Sequence, residues 1–167
     1  MSDPTSLPNF PPPADEHPLR GRVLDSLADA GMAPNLDGDG DVALVLEQQK
    51  LFVRCVDGEL PMMRVFGQWR IGDAVAADEL SRLRAASHVT ATVNLAKVSV
   101  HDGVLLVAAD AVVTAGADLD VLLGTSINLV LSAVKVWHVQ AGGAVSEDGE
   151  PGDPGGETGP QAPGGGS

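Results

Sequence analysis

The chain has no tyrosine, only three phenylalanines and only two tryptophans in 167 residues. Any core must therefore be built from Val, Leu, Ala and Met, drawn from the 44% of residues that are hydrophobic. Cysteine occurs once, at Cys55, which excludes an intramolecular disulfide and a multi-cysteine metal site and suits a reducing compartment. Within the alternating apolar run KLFVRCV, a small buried hydrophobe is expected at Cys55 rather than a catalytic thiol. Basic residues are also scarce. Ten Lys and Arg stand against 23 Asp and Glu, a formal net charge of −13, and such a chain repels a phosphate backbone. Neither nucleic acid nor an anionic membrane is an expected partner. No apolar run approaches the length of a membrane span. The opening MSDPTSLPNFPPP has neither the basic start nor the apolar core of a secretory signal. A cytoplasmic location is expected.

Chemistry-bearing motifs are lacking as well. His17, His88, His101 and His138 fall on separate segments, without a carboxylate or second histidine at metal-ligand spacing. His101 beside Asp102 pairs an imidazole with a carboxylate, the elements of a general base, but HDG is ordinary hairpin-turn chemistry. AGADLDVLLG has neither the glycine spacing nor the lysine of a nucleotide loop. Ser126 and Ser132 have no nucleophile-elbow sequence around them. The best candidate site is NLDGDGDVALVLE, where Asp37, Asp39 and Asp41 match the first, third and fifth positions of a calcium loop. The sixth position, which needs Gly, is Val42, and the twelfth, which needs a bidentate Glu, is Gln48. Calcium binding through these aspartates is thus the alternative reading, behind one with no catalysis, cofactor or metal.

What the sequence does contain is a pattern of elements. Residues 1–14 are Pro-rich and expected to be a disordered leader. Residues 141–167 hold ten of the twenty glycines, five acidic residues and no basic one, and are expected to be a disordered tail. One domain should occupy residues 15–140. A helix is expected over 15–30, with Leu19, Val23, Leu27 and Ala30 on one face, Gly31 as its cap and Pro34 beyond. Three strands follow, in VALVLE, KLFVRCV and PMMRVFGQWRI, with a turn at Asp57–Glu59 and a bulge or close backbone approach at Gly67. The spacing of ADELSRLRAASH predicts a helix over 77–88, with an Asp78–Arg82 ion pair and Leu80 and Leu83 facing inward; whether VTATV continues it is open. A hairpin through His101–Gly103 and a last helix capped by Asp118 and reaching about Val139 complete the order α-β-β-β-α-β-β-α. That order defines an α+β layer, a mostly antiparallel sheet with helices packed on it.

Certain residues set in this order resemble the YbjN family, whose fold is similar to that of type III secretion chaperones. They are the acidic DGDGD before the first strand, GQW at Gly67–Trp69, AKVSV at Ala96–Val100, and a long final helix with Trp137 near its end. The family is described provisionally as regulators of sensory transduction. The resemblance implies a cytoplasmic protein that works through a protein partner.

Trp69 and Trp137 are candidate interface anchors in a chain so poor in aromatics. Arg54, Arg64, Arg70, Arg82 and Arg84 are a candidate basic face for an acidic peptide. On the last helix, Leu119, Leu122, Leu123, Ile127, Val130, Val134 and Trp137 form the expected core stripe. Leu129 and Val136 widen it beyond the roughly 100° that a surface helix needs, which points to cover by the first helix or by a second copy in a homodimer.

Overall fold

The computed structural model describes residues 18–75 and 78–142. The elements run α1 (Leu19–Asp29), β1 (Asn35–Leu36), β2 (Val42–Leu46), β3 (Gln49–Val56), β4 (Met62–Arg70), α2 (Glu79–Thr92), β5 (Ala96–His101), β6 (Val104–Val112) and α3 (Leu119–Gln140). The expected order is observed, with one addition. β1 is a two-residue strand that pairs Asn35 with Ala43 and Leu36 with Val42, too short to leave an alternation pattern in the sequence. All pairings are antiparallel, in the spatial order β1-β2-β3-β4-β6-β5. The leader at 1–14 lies outside the described residues, as does the tail expected over 141–167 except for Ala141 and Gly142, and Ala141 is the buried C-cap of α3.

Each helix boundary has a local cause. Pro18 occupies the N-cap of α1, where its side chain has no oxygen to cap with, and the Leu19 N–H donates to Asp57 Oδ1 at 3.0 Å. The start of α1 is thereby fastened to the β3–β4 hairpin. At its other end Gly31 turns left-handed (φ 79°), with Gly31 N–H donating to Ala28 O and Met32 N–H to Leu27 O at 2.9 and 3.0 Å. This is a Schellman stop. Asp78 and Asp118 cap α2 and α3, each accepting from the backbone N–H three residues on, at Ser81 and Val121. VTATV continues α2 as far as Thr92. There Thr90 Oγ1 accepts from Val98 N–H at 3.0 Å, so the helix occupies part of the outer edge of β5.

The helices bury their apolar sides against one face of the sheet. Val42 and Leu44, Leu51 and Val53, Met63 and Val65, Leu105, Val107 and Ala109 alternate inward and meet Leu19, Val23 and Leu27 of α1 with the buried side of α3. The inner side of α2 differs from the expectation. Leu80 and Leu83 are exposed, while Ala85, Ala86 and Val89 are buried, because close approach of α2 to the sheet favours small side chains over leucines. On α3 the buried arc also takes in Ser126 and Ala133, and leaves Leu122 and Val134 half-buried. α3 further corrects the expectation about apolar length. At 22 residues, with an 18-residue window of mean hydropathy 1.6, it is long and apolar enough to cross a membrane by length and composition. Here its apolar side lies on the sheet, with Trp137 fully buried.

Gly67 lies within β4, whose pairing with β6 runs unbroken from Met62 to Arg70. There is no bulge. The glycine is needed because the Trp69 ring covers it, and a Cβ at residue 67 would come within 2.3 Å of that ring.

Candidate interaction surface on the open face of the sheet

Among the described residues no helix covers the other face, so its side chains are arranged only by strand register. Ala43 pairs with Phe52, Phe52 with Phe66, Phe66 with Ala108, and Ala108 with Lys97, which puts five residues in one cross-strand row. At its centre the two phenylalanine rings stack with centroids 5.3 Å apart. Lys50 Nζ lies 5.2 Å from the Phe52 centroid and Arg54 Cζ 5.4 Å from that of Phe66. Cations thus cover both aromatic faces.

The next row carries charge. Arg54 stands directly opposite Arg64, and Arg64 opposite Asp110. Like charges facing each other across strands destabilise a sheet unless each has a counter-ion. Both have one. Arg54 Nε and Nη2 donate to Asp41 Oδ1 and Oδ2 at 3.0 and 2.6 Å, and Arg64 Nε and Nη2 donate to Asp110 Oδ1 and Oδ2 at 2.6 and 3.1 Å. Lys97 Nζ adds a third donor to Asp110 at 2.5 Å. The hydrogen bonds from Arg64 and then Lys97 hold the Asp110 carboxyl at about 2, against the opposing effect of burial. The same bonds to Asp41 and Asp110 raise the guanidinium groups of Arg54 and Arg64 above their ordinary range.

A third row is apolar. Val56 pairs with Met62 and Met62 with Val112, and these three are 54%, 36% and 40% exposed. Leu60, in the hairpin loop beside them, is also exposed.

The residues singled out in the sequence are distributed differently. Arg54, Arg64 and Arg70 do share the open face, but Arg82 and Arg84 belong to α2 on the opposite side of the sheet. Trp137 is no interface anchor. It is fully buried, and its indole N–H donates to Arg82 O at 3.2 Å, so the ring's one polar group is satisfied inside the core. Trp69 is half-buried on the covered face, donating to Gln49 Oε1 at 2.5 Å. Leu129 and Val136 are half-buried and pack against the core. The fold therefore keeps all four off the open face.

In this structure the aspartate loop forms a turn and an ion pair. Asp37 Oδ1 accepts from the N–H groups of Asp39 and Asp41, both at 2.9 Å, and the Asp41 carboxylate is taken by Arg54. No group of three His, Cys, Asp or Glu side chains converges as metal ligands among the described residues. His101 and Asp102 meet at 3.0 Å on the exposed tip of a hairpin, where Asp102 and Gly103 take the positive φ of a two-residue turn. Burial, followed by the nearby Asp57, raises the Cys55 thiol to about 11, so it is protonated at neutral pH.

The stacked phenylalanines escaped sequence reasoning, although their strand parity was legible. Phe52 shares a face with Arg54 and Val56, and Phe66 with Met62 and Arg64. The missing information was the register, which a five-residue connection from Asp57 to Pro61 sets by pairing Val56 with Met62.

An antiparallel sheet with, among the described residues, three helices on one face and none on the other is an α+β fold of the kind that presents a surface. It is a YbjN-like fold. The crystal structure of YbjN from E. coli, assigned provisionally to transcription regulation, superposes with a TM-score of 0.54 over 72% of this chain and 90% of that one, at 13% identity. At that identity the likeness speaks for the fold alone. No protein-family model matches the sequence, and no curated protein matches it.

Proposed function

We propose that this chain is a non-enzymatic protein-protein interaction module with a regulatory or chaperone-like role, and that the open face of the sheet is its contact surface. The carrying observation is the composition of that face. A solvated sheet face needs only polar residues, yet this one has a stacked aromatic pair, a row of exposed aliphatics and three arginines. Aromatic residues, Met and Arg are the types enriched where proteins meet. Strands β2, β3, β4 and β6, with 5, 8, 9 and 9 residues at ~3.3 Å rise and ~4.8 Å spacing, present roughly 500 Å², the size of a transient contact and less than the about 800 Å² that each partner gives a standard interface.

A regulatory role is supported by the YbjN-like fold, since YbjN carries that provisional assignment. A cytoplasmic setting accompanies it, supported by a lone thiol held protonated. The test is affinity capture from the native host with the full chain as bait, the bound proteins identified and their binding reproduced with purified components. A stoichiometric partner is expected. Turnover of a small molecule by the purified chain alone would contradict the reading.

A further inference from the structure

The interaction reading leaves the chemistry of the partner open, and charge narrows it. The strands place Lys50, Arg54, Arg64, Arg70 and Lys97 on the open face, against the carboxylates of Asp41 and Asp110. Half of the chain's ten basic residues therefore gather on one side of one sheet, and with Asp37 and Asp39 of the adjoining loop also acting on Arg54, five cations stand against four carboxylates in a protein of net −13. Asp110 is shared by Arg64 and Lys97, so the carboxylates present cannot neutralise the face. Arg70 and Lys50 are exposed at the far end, with Lys50 over an aromatic ring.

From this we infer that the open face docks an acidic polypeptide segment of a partner protein, one that interleaves carboxylates with aliphatic or aromatic side chains. The inference rests on the proposed function and names the partner class for the same surface. Carboxylates would meet the guanidinium and ammonium groups, with arginine able to hold them in pairs. Apolar side chains would meet the Val56–Met62–Val112 row and Phe52, the half-exposed ring that stacks on the buried Phe66. Both contacts recur at the strand spacing. The charge row and the apolar row are two residues apart along the strands, about 6.6 Å, so an extended segment can satisfy them together. Nucleic acid fits less well. Its backbone would need cations without exposed aliphatics between them.

The test is fluorescence anisotropy with the full chain and a labelled twelve-residue peptide, EDLEDFEDLEDL, beside a counterpart with lysine at every acidic position. The acidic peptide should bind saturably, one to one, and at least tenfold tighter than the basic one. Charge reversal at exposed positions that form no ion pair, Lys50→Glu with Arg70→Glu, should weaken it at least tenfold. Reversal on the helix side, Arg84→Glu, should change it less than twofold. Circular dichroism and the melting temperature of each variant show whether a loss reflects unfolding. No binding, or equal loss in Arg84→Glu, overturns the inference. Displacement of the peptide by a twelve-nucleotide single strand at equal concentration overturns it in favour of a general polyanion surface. The chain's own acidic residues are tested by changing Glu147, Asp148, Glu150, Asp153 and Glu157 to their amides within the full chain. A tenfold gain in affinity would make the tail the occupant and overturn an external partner, as would a chain dimer that the peptide dissolves. A captured host partner that survives Lys50→Glu with Arg70→Glu defeats this inference and leaves the interaction reading standing. Failure to capture any partner defeats that reading itself.

Discussion

The two faces of this sheet are made by the same strands, yet they obey different rules. On the covered face most inward strand residues are aliphatic, helices exclude water, and the fully buried tryptophan, Trp137, has its N–H satisfied by the α2 backbone. On the open face the alternate residues carry the phenylalanine pair, the arginines and the exposed aliphatics. The difference teaches that parity along a strand separates what holds the fold from what is available to a partner. Substitutions on the first face should act on stability, and those on the second on binding.

The largest contrast is expected at Trp137. Trp137→Ala should lower unfolding stability by about 3–5 kcal/mol, since it empties a fully buried site and removes the indole hydrogen bond to Arg82 O. Phe52→Ala, losing a half-exposed ring and its stacking partner, should cost about 1 kcal/mol. Urea denaturation of both variants measures the gap, and equal losses would abolish the distinction between the faces. Gly67→Ala comes next. A Cβ there collides with the Trp69 ring, and the displaced ring should cost about 1–3 kcal/mol by the same measurement.

Asp110 ties the comparison to pH. Its folded value of about 2 lies below the ordinary carboxylate range, so its stabilisation is present above pH ~4 and disappears as pH falls from about 4 to 2. Because Arg64 and Lys97 are largely exposed to solvent, the loss should be on the order of 1 kcal/mol. Asp110→Asn should remove that slope from the acid-unfolding profile. The smallest effect is a gain. Glu47 and Gln48 both take positive φ in the β2–β3 turn, where side chains are disfavoured, so Gln48→Gly should stabilise by about 0.5–1 kcal/mol and raise the melting temperature slightly.

Much of the covered side was legible in the sequence, because burial imposes periodicity. The 3.6-residue spacing of Leu19, Val23 and Leu27, the capping Asp118, the Gly31 stop and the HDG turn each leave a local mark, and each appears where that mark places it, whereas the capping role of Asp78 was not read from its sequence. β1 left none, being two residues long. Leu80 and Leu83 misled because a leucine spacing says which residues share a side of a helix, not which side approaches the sheet. Trp137 was ambiguous for a similar reason. Composition marks it as a large anchor, and only packing shows that it anchors the core. The open face was half legible. Parity grouped Arg54 with Phe52 and Arg64 with Phe66, but stacking and charge rows arise from register between strands, which no single strand encodes.

The contact surface can be located by placing a photo-crosslinking residue at Gln68, exposed on the open face, or at Asn128, exposed on the outer side of α3, and irradiating each full-length chain in its native host. The account predicts a discrete covalent adduct from position 68 and none from position 128. An adduct from position 128 alone would place the contact on the helix side and contradict it.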